Sequence, residues 1–220
     1  MEEIVLESVR LIAADQVSEL VISQLRSEHI YSLENSSYVL MNMVLVSSKN
    51  GIQNIKNVLA NHKKAKRAIA VLIDSELQVP EMADIDSVLS FTNKDEFYNE
   101  FKSFLSLIRH NVEIHGLVCF DFNDFFTMIK GRNELSVHSC AYNEKISEAT
   151  SELRKNINPN HANYLLTFTV EHYNPDTFGE ELYPIKTYID ELRDEGNVFW
   201  NFRESSTKEV VLFISKQILS

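Results

Sequence analysis

Two short polar segments in the first half of the sequence carry side chains suited to ligand binding, and each directly follows an apolar run. They are Ser47, Ser48, Lys49, Asn50 and Gly51 in the first segment and Asp74 in the second. Because the carboxyl ends of parallel strands meet at one edge of a sheet, their polar groups would lie where small ligands bind in α/β proteins. The same composition is typical of ordinary turns. The pattern therefore has two interpretations, a ligand-binding loop and an ordinary turn.

An acidic segment in the middle of the chain is the second candidate. Asp121 and Asp124 open an amphipathic stretch, and Cys119 lies just upstream. The residues themselves indicate a structural role, because Asp121 is a good N-cap for a helix over residues 122–129 and Asp124 would favour its positive end.

Histidine and cysteine residues recur near this segment. His138 and Cys140 lie two apart on a predicted strand, so their side chains face the same way. With His115 and Cys119 upstream, the four could ligate zinc, and a Cys–His pair could act as a nucleophile. The spacing matches no structural zinc motif and supplies no third orienting group. We predict no metal and no cofactor, and interpret Cys140 as a buried cysteine beside a satisfied histidine.

Acidic residues cluster again near the C-terminus. Glu180-Glu181 begins a predicted helix, where carboxylates interact favourably with the helix dipole. Asp190-Glu191 and Asp194-Glu195 lie near the end of that helix and are typical of a solvated face. The alternative for this second cluster is a binding surface for a basic partner.

The composition is that of a soluble globular protein, with 220 residues, 44% of them hydrophobic. A formal net charge of −11 opposes binding to nucleic acid or anionic lipid. No apolar stretch reaches the ~20 residues of a membrane span. Two cysteines make no disulfide framework, and the acidic start is unlike a signal peptide, so a cytoplasmic location is expected. Only 5 glycines are present, against about 15 at average usage, which argues against a glycine-rich phosphate loop.

Strands and helices alternate along the first half. The hydrophobic pattern predicts strands at 3–12, 37–47, 68–73 and 87–91. It predicts helices at 15–26, with Asp15 as the cap, at 53–62, and from a Thr92 or Asn93 cap to about 110. This alternation predicts a parallel sheet with right-handed crossovers.

The second half has a different hydrophobic pattern. This pattern predicts helices at 122–129, 144–157 and from 178 to Gly196. It predicts strands at 135–142, 162–172, 198–202 and 210–215, antiparallel at the end. We therefore predict an α/β fold with two domains, residues 1–111 and 112–220. The first is a parallel three-layer sheet, and a helix links it to a smaller α+β domain.

One segment carries a more specific resemblance. The run from Gly116 to Phe125, GLVCFDFNDF, resembles GLINxDFADV of FtsZ, the bacterial tubulin-like division protein. The order of elements from residue 112 to residue 216 also resembles the C-terminal part of that family. In the family this segment's asparagine and acids reach the nucleotide of the neighbouring subunit. The resemblance implies that Asp121 and Asp124 match the acids, with Cys119 in place of the asparagine. Acids in these positions could polarise a water molecule, but helix capping is the stronger interpretation.

The first half departs from the FtsZ pattern. Where the family has the loop GGGTGTG, this sequence has Ser47 to Asn54, with only Gly51 left of the glycines. Phosphate cradling needs successive backbone N–H groups that no Cβ obstructs. The resemblance implies a tubulin/FtsZ-like scaffold with a reduced first domain that has lost GTP binding.

The function predicted from these observations is non-catalytic. The chain would act through protein–protein contact, either by self-assembly or by binding a tubulin-like filament, with Cys119, Asp121 and Asp124 at the interface. The alternative is a small α/β enzyme or ligand-binding protein, with its site at the carboxyl ends of the first-half strands.

Overall fold

The computed structural model describes residues 8–31, 39–62, 64–114, 120–156, 162–172, 178–193 and 196–218. The chain divides into two compact units. The first unit comprises Met1–Glu113, Ile129–Leu135 and Gln217–Ser220, and the second comprises Ile114–Met128 and Ser136–Lys216. Among the described residues, no helix is long and apolar enough to cross a membrane.

The first unit alternates strands and helices. In chain order these are β1 (Val9–Ala13), α1 (Gln16–Ser27), β2 (Met41–Val46), α2 (Lys49–Ala60), β3 (Arg67–Leu72), β4 (Ser87–Phe91) and α3 (Phe97–Ile108). The strands pair in parallel in the order β1-β2-β3-β4, and β4 pairs in parallel with the first residues of β5 (Gly131–Ala141). All six residues of β2 are buried, as expected for an inner strand covered on both faces.

Two apolar layers pack on this parallel sheet. One is a cluster that includes Val44, Ile55 and Ala70, which joins α2 to the strands. The other is an aromatic stripe on α3. Phe97, Phe101 and Phe104 recur at helical spacing and surround Phe91 of β4 with ring centroids 5.6 to 6.2 Å apart. The stripe is therefore core.

The second unit contains the rest of β5 together with α4 (Phe122–Ile129), α5 (Ile146–Leu153), β6 (Ala162–Val170), α6 (Phe178–Arg193), β7 (Gly196–Glu204) and most of β8 (Glu209–Gln217). Its strands follow the order β5-β8-β6-β7. β6 is parallel to β7 and antiparallel to β8. Its core includes Tyr164, Phe168, Tyr188 and Leu212. The described residues thus form eight strands and six α-helices, and the predicted α/β fold class is confirmed.

Strand β5 begins at Gly131, four residues before the predicted Leu135. Three further local predictions need correction. Helix α2 begins at Lys49 rather than at Gln53, because Ser48 caps it. Neither Thr92 nor Asn93 caps α3. A short 3₁₀ turn over Lys94–Glu96 comes first, and the Thr92 hydroxyl donates instead to the carbonyl oxygen of Leu135.

The third correction concerns the two closing strands. β8 is antiparallel as predicted, but its partner is β6, which lies between β8 and β7. The turn from β7 to β8 therefore passes the end of β6, where the Ser205 N–H donates to the carbonyl oxygen of Val170 at 2.9 Å.

Candidate functional site

The site begins at the end of β1, where Asp15 caps α1. The Asp15 backbone is extended, and its Oδ1 accepts hydrogen bonds from the Ser18 N–H at 3.0 Å and the Ser18 hydroxyl at 2.7 Å. This is the usual geometry of an aspartate N-cap, in which a carboxylate satisfies free N–H groups of the first turn. The predicted cap is confirmed.

The same carboxylate also reaches the loop after β2. Ser47 donates to Asp15 twice, from its N–H at 2.8 Å and from its hydroxyl at 2.7 Å. The Ser48 hydroxyl donates at 3.0 Å to Oδ2. Because β1 and β2 are parallel neighbours, their carboxyl ends lie side by side, and the loops that follow them share one anion. The Asp15 carboxylate therefore receives five hydrogen bonds from three serines.

The first turn of α2 completes this arrangement. Ser48 Oγ accepts the Gly51 N–H at 3.1 Å, which caps α2, while the Ser48 hydroxyl donates to Asp15. A Cβ on Gly51 would collide with Oδ2 of Asp15 and would come within 3.1 Å of Val46 Cγ1. Glycine is needed here because the carboxylate packs directly against the helix backbone. We call Ser18, Ser47, Ser48 and Gly51, which surround the Asp15 carboxylate, the carboxylate cradle.

The electrostatics of the carboxylate cradle favour the ionised acid. Burial raises the pKa of Asp15, but hydrogen bonds from Ser18 and Ser47 outweigh that effect and lower it to about 2. The N-termini of α1 and α2 both contribute partial positive charge at this point. The cradle therefore already contains a fixed negative charge at neutral pH.

The remaining residues of the predicted ligand loop lie outside the cradle. Lys49 and Asn50 are exposed in the first turn of α2. Asp74 is also exposed, and its Oδ1 accepts the backbone N–H of Glu76 at 3.0 Å, as in an ordinary turn. The structure thus gathers Ser47, Ser48 and Gly51 around an internal acid.

The second candidate site lies at the N-terminus of α4. Oδ1 of Asp121 accepts the N–H groups of Asn123 at 2.7 Å and Asp124 at 3.0 Å. In return, Oδ2 of Asp124 accepts the Asp121 N–H at 3.2 Å. This reciprocal pattern is a capping box, and the predicted cap is confirmed. Asp121 is exposed and Asp124 half-buried, whereas Cys119 lies outside the described residues.

Two polar side chains, one buried and one half-buried, fix the other end of α4. The carbonyl oxygen of Met128 accepts hydrogen bonds from Asn163 Nδ2 at 3.1 Å and from the Ser215 hydroxyl at 2.9 Å. Ser215 is fully buried. Since the last carbonyls of a helix have no partner within it, these two bonds anchor α4. The anchored helix presents Asp121 at its exposed end.

The histidine and cysteine residues form no cluster among the described residues. His138 Nε2 lies 3.2 Å from the Ser136 hydroxyl, and burial lowers its pKa. Cys140 is half-buried against the core of the second unit. No group of three His, Cys, Asp or Glu side chains in the described part of the chain could hold a metal ion. His115 and Cys119 lie outside that part.

The C-terminal acidic cluster is partly paired with basic residues. Glu191 forms a salt bridge with Arg154 at 2.6 Å, and Asp190 contacts Arg193 at 3.5 Å. Both pairs are exposed, and such pairs stabilise little. Asp194 and Glu195 lie outside the described residues.

The sequence predicts Asp15 only as a helix cap, whereas in the structure Asp15 also contacts the second loop. A signal for that contact was present. An acid follows the first apolar run, two serines follow the next, and parallel pairing of these runs brings the acid and the serines together.

No protein-family model and no curated protein matches the sequence. Solved structures do match its fold. CetZ from Methanosaeta thermophila strain DSM 6194 aligns with a TM-score of 0.54 at 14% identity, over 93% of this chain and 67% of that one. CetZ1 from Haloferax volcanii aligns with a TM-score of 0.51 at 12% identity, over 92% and 71%.

A third similar structure is a GTPγS-form protofilament of Bacillus thuringiensis serovar israelensis TubZ, with a TM-score of 0.50 at 12% identity, over 91% of this chain and 65% of that one. The chain thus spans about two thirds of the length of these proteins. It has a tubulin/FtsZ-like fold.

Proposed function

We propose that this chain is a non-catalytic tubulin/FtsZ-like protein that acts through protein–protein contact, by self-assembly or by binding a tubulin-like filament, and that it does not bind nucleotide. In this proposal residues 1–111 are a reduced GTPase-like domain and residues 112–220 a C-terminal domain joined through α4. One observation carries the loss of nucleotide binding: the Asp15 carboxylate fills the carboxylate cradle.

The physical argument is a competition between anions. Helix N-termini and convergent N–H and hydroxyl donors bind phosphate in proteins. Here Ser47 and Ser48 already donate to an ionised carboxylate, so a phosphate would lose these donors and meet a like charge. The Asp15 side chain also packs directly against Gly51, where backbone would otherwise be accessible.

A thermal-shift titration with GTP and Mg²⁺ tests this part of the proposal. A ligand that binds only the folded state raises the melting temperature by mass action, by several degrees at a hundredfold excess over Kd. We expect no saturable shift with GTP, and Mg²⁺ with ADP serves as the control for non-specific effects. A saturable shift specific to GTP would refute the loss of nucleotide binding.

Contact through the N-terminus of α4 is the second part of the proposal. Asp121 is exposed, the capping box orients it, and Asn163 and Ser215 anchor the far end of its helix. The TubZ structure with this fold is a protofilament, which supports self-association as the first case to test.

Charge reversal tests the placement of this surface. We expect Asp121→Lys with Asp124→Lys to change self-association, measured by sedimentation velocity over a range of protein concentrations. Glu81→Lys with Asp84→Lys is the matched control, because these exposed acids lie in a turn of the first unit and the change in net charge is the same. A second variant, Asp121→Asn with Asp124→Asn, removes the charges and keeps a capping side chain. An unchanged association constant in both the Lys and Asn variants would contradict the placement.

The alternative, a small enzyme or ligand-binding protein with a site at the carboxyl ends of the first-half strands, comes second. It requires Ser47 and Ser48 as ligand donors, and both hydroxyls donate to Asp15. A cytoplasmic location and the lack of nucleic-acid binding stay predictions from charge and composition.

A further inference from the structure

We infer that Asp15 is a built-in ligand of an oxyanion site, so that removing its carboxylate opens a site for inorganic phosphate or sulfate. The inference deepens the proposed loss of nucleotide binding and rests on it. The carboxylate cradle holds one anion, supplied by the chain itself.

The donors of the cradle come from two different loops and converge on a single group. Ser18 and Ser47 each contribute an N–H and a hydroxyl, and Ser48 contributes a hydroxyl, all between 2.7 and 3.0 Å from a carboxylate oxygen. They contact both oxygens. Five donors around one anion, two of them backbone N–H groups, form an anion-binding concavity.

Two helices of 12 residues each point their N-termini at this carboxylate. Asp15 caps α1 directly, and Ser48 connects the carboxylate to the first turn of α2 through the Gly51 N–H. The partial positive charges of both helix ends therefore act on the same point. Their combined effect is consistent with an acid that stays ionised there despite partial burial.

Two hydrogen bonds beside the carboxylate cradle are independent of the Asp15 side chain. Asn54 Nδ2 on α2 donates to the backbone carbonyl oxygen of Ala14, the residue after β1, at 2.9 Å. The Ala14 N–H donates to the carbonyl oxygen of Leu45 at 3.0 Å. These bonds remain when the carboxylate is removed, so we expect the donors to stay in place around the vacated volume.

The decisive variant is Asp15→Ser, because serine also caps a helix and vacates the volume of the carboxylate. In chloride we expect its melting temperature to lie about 4 °C below that of the wild type, since the donors of Ser47 and Ser48 lose their acceptor. Millimolar phosphate or sulfate at matched ionic strength should restore about 3 °C with saturation. Titration calorimetry with inorganic phosphate should give a one-to-one isotherm for this variant and none for the wild type.

The controls separate site binding from general salt effects. Sulfate and phosphate stabilise folded proteins non-specifically. The rise in melting temperature of Asp15→Ser is therefore compared with that of the wild type and of Asp15→Asn. Asparagine fills the same volume and leaves no room for an oxyanion. Asp74→Ser removes an exposed charge from a neighbouring turn. Equal gains in all four proteins, or no phosphate isotherm for Asp15→Ser, would overturn the inference.

The inference can also be tested if Asp15→Ser does not fold in chloride. Refolding yield would then be measured in chloride and in phosphate, for Asp15→Ser and for Asp15→Asn. A larger recovery with phosphate for Asp15→Ser than for Asp15→Asn supports the inference, and equal recovery of both variants overturns it. The GTP titration of the wild type remains separate: a GTP shift there contradicts the proposed function, whereas a missing phosphate site in Asp15→Ser contradicts only this inference.

Discussion

Aspartate caps two helices of this chain, α1 in the first unit and α4 in the second, and the two carboxylates have opposite environments. Asp15 accepts hydrogen bonds from its own helix and also from Ser47 and Ser48 of another loop. The described hydrogen bonds of Asp121 stay within the first turn of its own helix, at Asn123 and Asp124. One carboxylate is held by two loops of the first unit, and the other is exposed to solvent.

The comparison shows that a capping signal in sequence does not determine what else the acid contacts. Both aspartates satisfy the N–H groups of a first turn, and their local geometry is similar. The difference comes from the neighbouring element. The strand before Asp15 has a parallel partner whose following loop carries two serines, and the pairing brings that loop to the carboxylate.

The largest effect is expected from Gly51→Ala. The added Cβ would collide with Asp15 Oδ2, so the carboxylate must leave the cradle and five donors lose their acceptor. We expect the free energy of unfolding to fall by about 3 kcal/mol, as measured by urea denaturation.

Gly179→Ala is the matched control for this substitution. Gly179 also lies in a helix, α6, and no atom of the part of the chain that the structure describes lies within 4 Å of a Cβ built there. Its free energy of unfolding should stay within about 1 kcal/mol of the wild type or rise, because alanine favours helix. A similar loss of unfolding free energy in both variants would mean that the packing of Asp15 against Gly51 does not stabilise the fold.

The next effect in size is the pH dependence that Asp15 confers. Burial raises its pKa, the serine hydrogen bonds lower it more, and the result is about 2 against an ordinary value of 3.8. An acid with a lowered folded-state pKa stabilises the fold above its unfolded value, and this contribution is lost as the pH falls through the folded value.

Asp15→Asn isolates this effect, because it cannot titrate. At neutral pH the wild type should be more stable by about 1.5 kcal/mol, a figure reduced to allow for solvent screening of a partly exposed group. Urea denaturation of both proteins should show that the difference narrows as the pH falls from about 4 towards 2. A stability difference that does not change with pH would mean that ionisation of Asp15 does not stabilise the fold.

The smallest effect is expected at the exposed cap. Asp121→Ala should lower the free energy of unfolding by about 0.5 to 1 kcal/mol, because it removes one cap and nothing else, and Asp121→Asn should restore most of it. Thermal unfolding of the two variants measures both values. A loss as large as that of Gly51→Ala would indicate that the Asp121 carboxylate stabilises the fold as strongly as that of Asp15, and the comparison would fail.

Much of the fold was predictable because hydrophobic pattern and local capping specify it. The strand at Ser87–Phe91 and the helix at Phe122–Ile129 have the predicted bounds. The start of α2 was missed although its Ser48 cap is a local signal. Two other errors occur where tertiary contacts compete with local signals. Thr92 has the side chain of a helix cap, but its hydroxyl donates to Leu135 of β5, a strand far away in sequence.

The candidate site was predictable only in its components. Ser47, Ser48 and Gly51 were selected as a ligand loop because polar residues follow a buried strand. Asp15, which contacts all three, was selected only as a cap. Pairing of β1 with β2 across more than thirty residues is required to join these components, and a periodic pattern contains no information about which strands become neighbours.

The alternation of strands and helices and the two aspartate caps follow from local sequence, because they depend on the periodicity and capping chemistry of neighbouring residues. The shortage of glycine at the segment that resembles the FtsZ loop is likewise visible in the sequence. That Asp15 fills the carboxylate cradle while Asp121 stays exposed depends on the tertiary structure. The reason is that a carboxylate takes the hydrogen-bond donors that folding brings within about 3 Å of it, and strand pairing selects those donors.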